Sequence, residues 1–122
     1  MSLRLDRSLQ GSLAARAAGR IVVIDAYRTW NCGTWVGDLT AKLADAAPGD
    51  GFTELAPVDG VPAYANAGVV RLLDTAGASL HAVGRFRGSG LRVELDRPEL
   101  WIDYLEHPGA WAPHAEDPHP AS

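Results

Sequence analysis

The chain has 122 residues, 47 % of them hydrophobic and 21 % charged, as in ordinary soluble domains and unlike disordered or membrane-embedded chains. A formal net charge of −4 disfavours the basic surface that nucleic-acid binding requires, so we expect no nucleic-acid partner. Charged residues interrupt the N-terminal stretch, unlike a secretory signal, and no apolar run approaches the roughly 18 residues of a membrane span. The single cysteine, Cys32, cannot form a disulfide within the chain, which fits a reducing compartment. We therefore expect a cytoplasmic protein without a membrane partner.

The first predicted element is a short amphipathic helix. Asp6 stands where an N-cap belongs, and Gly19 is a plausible stop. Between them, apolar residues recur at helical spacing: Leu9, Leu13, Ala14 and Ala17. Gly11 weakens this helix from within.

An apolar segment, "IVVIDAY" from Ile21, comes next. Its start lacks alternation, which predicts a central strand covered on both faces. The stretch "WNCGTWVGD" is broken by Gly33 and Gly37 and predicts a turn or loop. A half-buried strand should follow, because apolar and more polar residues then alternate, the apolar ones being Leu39, Ala41 and Leu43.

The second half of the chain is also rich in predicted strands. "FTEL" and "VPAYA" flank the turn signal "PVDG", and Pro62 places the second strand at a sheet edge or its first residues at a sheet margin. A short helix should run from Asn66, its cap, to Gly77. Its apolar side is formed by Val69, Leu72 and Leu73.

The last elements are a hairpin and a tail. "LHAVGRF" and "LRVELD" flank the glycine-rich connection "RGSG". "RPELWIDYLEH" suits either a helix or a strand. Residues 106–122 are rich in proline and histidine and predict a mobile tail, which leaves a single domain over residues 1–105.

Cys32 is the main candidate for a functional residue. Most free cysteines are small buried hydrophobes, and this is the simplest interpretation. Gly33 permits close backbone approach, which makes a functional thiol more credible. A redox role would need a nearby cation, and Arg28 is the only close one in sequence.

Three other features invite a functional or a structural interpretation. Trp30 and Trp35 would shield a metal, form an aromatic interface or complete the core. Asp25 interrupts the apolar strand as a buried or a solvated carboxylate. His81 should be a plain surface histidine, because strand alternation sends it away from the face of Leu80.

The predicted order of elements resembles the HesB-like domain of A-type iron–sulfur carriers. "IVVIDAYRTWNCG" looks like the family's strand ending at a Cys–Gly loop, "VDGVPAYANAGVVRLLD" is similar to its strand and short helix, and "LHAVGRFRGSGLRVELDRP" resembles its hairpin. A HesB-like branch with a Cys–Cys or Cys–selenocysteine pair is also similar, with Asn31 at the first position of that pair. The resemblance implies an α+β, mostly β, sandwich-type domain with an N-terminal helix and one short internal helix.

The same resemblance implies iron or a labile iron–sulfur cluster bound through Cys32. The family's Cys-x-Cys pair near the C-terminus has no match, since no thiol follows residue 32. Clusters normally need four thiolates, so a homodimer would have to supply a second one, with iron–sulfur assembly or recipient proteins as partners. The alternatives are a metal-free interaction or structural module and a single-thiol redox protein. No enzyme motif is present, so catalysis is not expected.

Overall fold

Seven strands form one mixed sheet in the computed structural model, which describes residues 3–83 and 90–111. The strands are β1 (Arg4–Leu5), β2 (Ile21–Asn31), β3 (Thr34–Ala44), β4 (Phe52–Val58), β5 (Val61–Asn66), β6 (Ala78–Val83) and β7 (Gly90–Leu95). Their order across the sheet is β1-β6-β7-β3-β2-β5-β4, and the sheet nearly closes into a barrel. The pairs β1/β6 and β2/β5 are parallel and the other pairs are antiparallel.

Few and short helices accompany the sheet, which confirms a mostly-β α+β protein. They are α1 (Leu13–Ala17), a 3-10 turn (Ala67–Val69) that leads into α2 (Val70–Ala76), α3 (Glu99–Glu106) and α4 (Pro108–Trp111). No helix among the described residues is long and apolar enough to cross a membrane.

The N-terminal helix is shorter than predicted. Gly11 adopts a φ of 77°, which a right-handed helix does not contain. Residues 7–12 therefore form turns, and the helical part of this segment is limited to α1. Asp6 caps the first of these turns, because its Oδ2 accepts a hydrogen bond from the Ser8 amide at 3.0 Å. Three of the four predicted apolar positions are nevertheless buried, namely Leu9, Leu13 and Ala17, whereas Ala14 is exposed.

The centre of the sheet agrees with the apolar pattern. Val22, Val23 and Ile24 at the start of β2 are buried on both faces, as predicted for a central strand. β5 lies between β2 and β4, so the interpretation of β5 as an edge strand is wrong. Pro62 is tolerated because it is the second residue of β5, next to the bulge between Leu55 and Val58.

The later elements also follow their predictions. Asn66 caps the 3-10 turn, its side chain accepting from the Gly68 amide at 2.8 Å, and α2 ends before Gly77. β6 and β7 pair as a hairpin, and most of the predicted "RGSG" connection lies outside the described residues. The ambiguous segment forms α3. Residues 106–111 of the predicted tail are mostly helical, and 112–122 lie outside the described residues.

The turn or loop predicted for "WNCGTWVGD" is confirmed only at Cys32 and Gly33, and the rest of this stretch is strand. β2 and β3 pair without interruption from Ile21↔Ala44 to Asn31↔Thr34, so this stretch is the distal end of a long hairpin. Gly37 does not break β3. It is required there, because a Cβ at this position would collide with the Tyr27 carbonyl oxygen and the Arg28 Cα of the opposite strand.

We expect Gly37→Ala to lower the free energy of unfolding by about 1–3 kcal/mol, because the added methyl forces the two strands apart. Urea unfolding followed by circular dichroism measures the loss. Gly49→Ala is the matched control, since a Cβ at Gly49 meets open space, and its stability should change by no more than about 0.5 kcal/mol. Equal stability of both variants would contradict the close strand approach.

Candidate functional site

Cys32 lies in the two-residue turn at the tip of the β2–β3 hairpin. Asn31 and Thr34 are the closing pair, and Cys32 and Gly33 have φ angles of 53° and 81°. Two successive positive φ angles define a type I′ turn, which matches the twist of a hairpin and favours Asn-Gly or Asp-Gly. Cysteine is therefore an unusual residue at this position, since its Cβ is disfavoured in the left-handed region.

The chain contains the same turn a second time, with the preferred residues. Asp59 and Gly60 connect β4 to β5, with φ angles of 52° and 78° and the closing pair Val58↔Val61. Aspartate tolerates the left-handed region because its short polar side chain can bond locally. The free-energy cost of placing cysteine in this conformation at Cys32 can therefore be compared with that of aspartate at the equivalent position, Asp59.

The outer half of the hairpin, residues 27–38, projects beyond the neighbouring strands and is called the arm here. β5 pairs with β2 only at Val22–Ile24, and β7 pairs with β3 only at Ala41. Among the described residues, the arm is therefore a two-stranded ribbon with no strand on either side. Such a ribbon is marginal by itself and needs side-chain pairs or a stable base.

At the base of the arm, two aspartate side chains accept hydrogen bonds from backbone amides on the outer edges of the ribbon. Asp25 Oδ1 accepts from the Ala26 amide at 2.8 Å, and Asp38 Oδ1 accepts from the Leu39 amide at 3.1 Å. Ala26 and Leu39 face each other across the ladder. Carboxylates at an edge discourage pairing with another strand. Asp25 is half-buried and also accepts from Asn66 Nδ2 at 2.9 Å, so its role is structural.

Aromatic side chains stabilise the arm. Trp30 and Trp35 are directly opposite, with ring centroids 5.2 Å apart and an interplanar angle of 76°, and the Arg28 guanidinium lies 3.7 Å from the Trp35 ring centroid. Edge-to-face pairs and cation–π contacts each contribute about 0.5–1.5 kcal/mol. Trp30 is nevertheless 58 % exposed, so the interpretation that it completes the core is wrong. Tyr27 and Val36 are exposed on the other face.

The Cys32 thiol is exposed, so the interpretation of Cys32 as a buried hydrophobe is wrong. The described residues contain no group of three or more histidine, cysteine, aspartate or glutamate side chains that could hold a metal ion. Any iron or cluster at Cys32 would need ligands from elsewhere.

His81 is not the plain surface residue that alternation predicts. Its side chain is 19 % exposed, and its ring nitrogens lie 3.5 Å from Asp6 Oδ2 and 3.3 Å from Glu94 Oε1. Hydrogen bonding from the Ser8 amide, followed by other contacts that include His81, lowers the pKa of Asp6. His81 thus joins the N-terminal turns to β7. Sequence spacing does not indicate this contact, which depends on the parallel pairing of β1 with β6.

Tyr104 on α3 is a partly buried residue that sequence analysis did not identify. Its ring stacks on Trp101, with centroids 5.3 Å apart and planes at 16°. Burial raises the pKa of the Tyr104 phenol, the nearby Arg28 charge partly offsets this, and Asp25 adds a smaller increase. Tyr104 packs against the hydrophobic core, and Trp101 lies beside Asp38 and Leu39 at the base of the arm.

The sequence has no match among protein-family models or curated proteins.

The exposure of Cys32 predicts rapid thiol labelling. We expect a disulfide exchange reagent such as 5,5′-dithiobis-(2-nitrobenzoate) to modify one thiol per native chain at a rate within about tenfold of that in urea. A buried thiol would react only after opening of the fold, which slows labelling by several orders of magnitude. Protection of that size in the native protein would contradict the position of Cys32.

The turn geometry predicts that Cys32→Asn stabilises the protein. Asparagine adopts the left-handed region more readily than cysteine, so the free energy of unfolding should rise by about 1 kcal/mol. Asp59→Ala tests the opposite change in the second turn and should lower the free energy of unfolding by about 1 kcal/mol, because alanine adopts the left-handed region less readily than aspartate. Urea unfolding measures both. A loss of stability in Cys32→Asn would rule out this conformation at the tip of the arm.

Proposed function

We propose that this protein is a divergent, HesB-like carrier that binds iron or a labile iron–sulfur cluster as cargo through Cys32. The observation that supports it is the exposed thiol in the turn at which the central strand β2 ends. The order of elements also supports the family architecture: N-terminal helix, strand, Cys–Gly turn, a further strand with a short helix, and a hairpin.

Binding in this proposal takes place between two copies of the chain. One thiolate is too few to hold an iron–sulfur cluster, and the described residues contain no group of three or more potential metal ligands. Because the arm projects beyond the neighbouring strands, two arms can bring their Cys32 thiolates together across a two-fold axis. An exogenous thiol such as glutathione would complete the coordination. The partners would then be iron–sulfur assembly proteins and recipients of the cargo.

A second candidate function is a metal-free interaction module that uses the same arm. Its support is the exposure of three large apolar side chains on the arm: Tyr27, Trp30 and Val36. Exposed aromatic residues are enriched at protein interfaces. A single-thiol redox protein is the weaker alternative, because Arg28, the expected activating cation, is held over the Trp35 ring.

Anaerobic reconstitution with ferrous iron and sulfide tests the carrier proposal. We expect visible charge-transfer absorption, bound iron and a solution mass of two chains for the native protein, and loss of all three for Cys32→Ser. Trp30→Thr is the control variant that keeps the thiol and should retain at least half of the bound iron, because Trp30 is not a ligand.

The outcomes separate the two candidate functions. Absence of iron from native protein with an intact, titratable thiol would overturn the carrier proposal. Self-association that survives Cys32→Ser but is lost in Trp30→Thr would assign the arm to an interaction module instead.

A further inference from the structure

A slot opens where β3 and β7 diverge. The two strands are neighbours in the sheet, yet they pair at a single position, Ala41↔Leu91. Beside this pair lies an open cavity of about 360 Å³. β3 contributes Asp38 and Leu39 to it, β7 contributes residues 93–95, and the start of α3 contributes Pro98 and Trp101.

The slot has an apolar interior and an acidic mouth. Leu39, Val93 and Leu95 belong to the hydrophobic core or pack against it. Asp38 and Glu94 alternate with them along the strands and are exposed, so their carboxylates lie at the outer side of the slot. Stacking on Tyr104 orients the Trp101 ring, which also lines the cavity.

The charges at the mouth are unequal. Glu94 forms an ion pair with Arg92, which offsets its charge, and it also contacts the His81 ring. Asp38 makes no ion pair among the described residues, and the one bond that its carboxylate forms there is with the Leu39 amide. That bond also occupies the edge amide an incoming strand would need, which disfavours an added β-strand as the occupant. The slot therefore presents one uncompensated carboxylate beside an aromatic ring.

We propose that this slot binds an alkylammonium group, with the cation at Asp38 and the alkyl chain directed inward between the two strands and Trp101. The cavity volume is within the range of small-ligand sites, which are mainly apolar with a few polar groups that set orientation. An ammonium group pairs with a carboxylate and with the face of tryptophan. This site is separate from Cys32 and does not depend on the carrier proposal.

Isothermal titration of the full chain with n-butylammonium tests the proposal, with 1-butanol as the uncharged ligand of equal chain length. Asp38→Asn keeps an oxygen for the Leu39 amide and removes only the charge. We expect it to weaken n-butylammonium binding about tenfold, and Trp101→Leu to weaken it about fivefold. Glu54→Gln, at an exposed position of β4, is the charge-matched control and should change affinity less than twofold.

Three results would overturn the assignment: no binding of n-butylammonium up to 20 mM, equal affinity for 1-butanol, or an equal effect of Asp38→Asn and Glu54→Gln. The source of the ammonium group is tested with Nα-acetyl-lysine methylamide. Binding at least as tight as that of n-butylammonium supports a lysine side chain of a partner protein. Binding more than tenfold weaker, with n-butylammonium still bound, supports a free amine.

Discussion

The uninterrupted pairing of β2 with β3 is the constraint on which the rest of the structure depends. Both strands are 11 residues long, but neighbouring strands accompany only the half nearest Ile21 and Ala44. Burial of Val22, Val23 and Ile24 anchors that inner half. The outer half extends from this anchor as a ribbon, supported by the Trp30–Trp35 pair and closed at its base by two carboxylates.

The arm combines a cost in backbone energy with an exposed reactive group. A type I′ turn needs two residues at positive φ, and the Asp59-Gly60 turn shows that this chain elsewhere meets the need with a favourable residue. At the tip, cysteine occupies the corresponding position and its thiol is open to solvent. Strain of this kind is commonly concentrated at functional sites, which is consistent with a role for the thiol that the turn itself does not require.

Two chemically different surfaces lie along β3. At the tip of the arm, the exposed Cys32 thiol is close in sequence to the exposed Trp30 side chain. A soft sulfur atom suits a transition metal, and an exposed aromatic residue suits an apolar interface. At the base, the divergence of β3 from β7 leaves a slot whose carboxylate suits a hard, hydrated cation with an apolar stem. Asp38 belongs to both regions, since it closes the edge of the ribbon and lines the slot. A ligand bound to Asp38 in the slot would therefore contact the residue that bonds the Leu39 amide at the base of the arm.

Local sequence patterns by themselves determined most elements of this protein, because apolar periodicity and cap residues act within a few positions. They indicated the apolar strand at Ile21, the capped helix at Asn66 and the alternating strand at Leu91, all of which the structure contains. The hairpin around Cys32 was decided by tertiary structure. Gly33 and Gly37 are typical of a loop when only the local sequence is considered, yet the paired strands need Gly33 in the turn and Gly37 where the two backbones approach closely. Exposure of the thiol, partial burial of His81 and the slot beside Asp38 depend on which strands become neighbours and where they diverge. Sequence spacing carries no direct information on such contacts between distant segments.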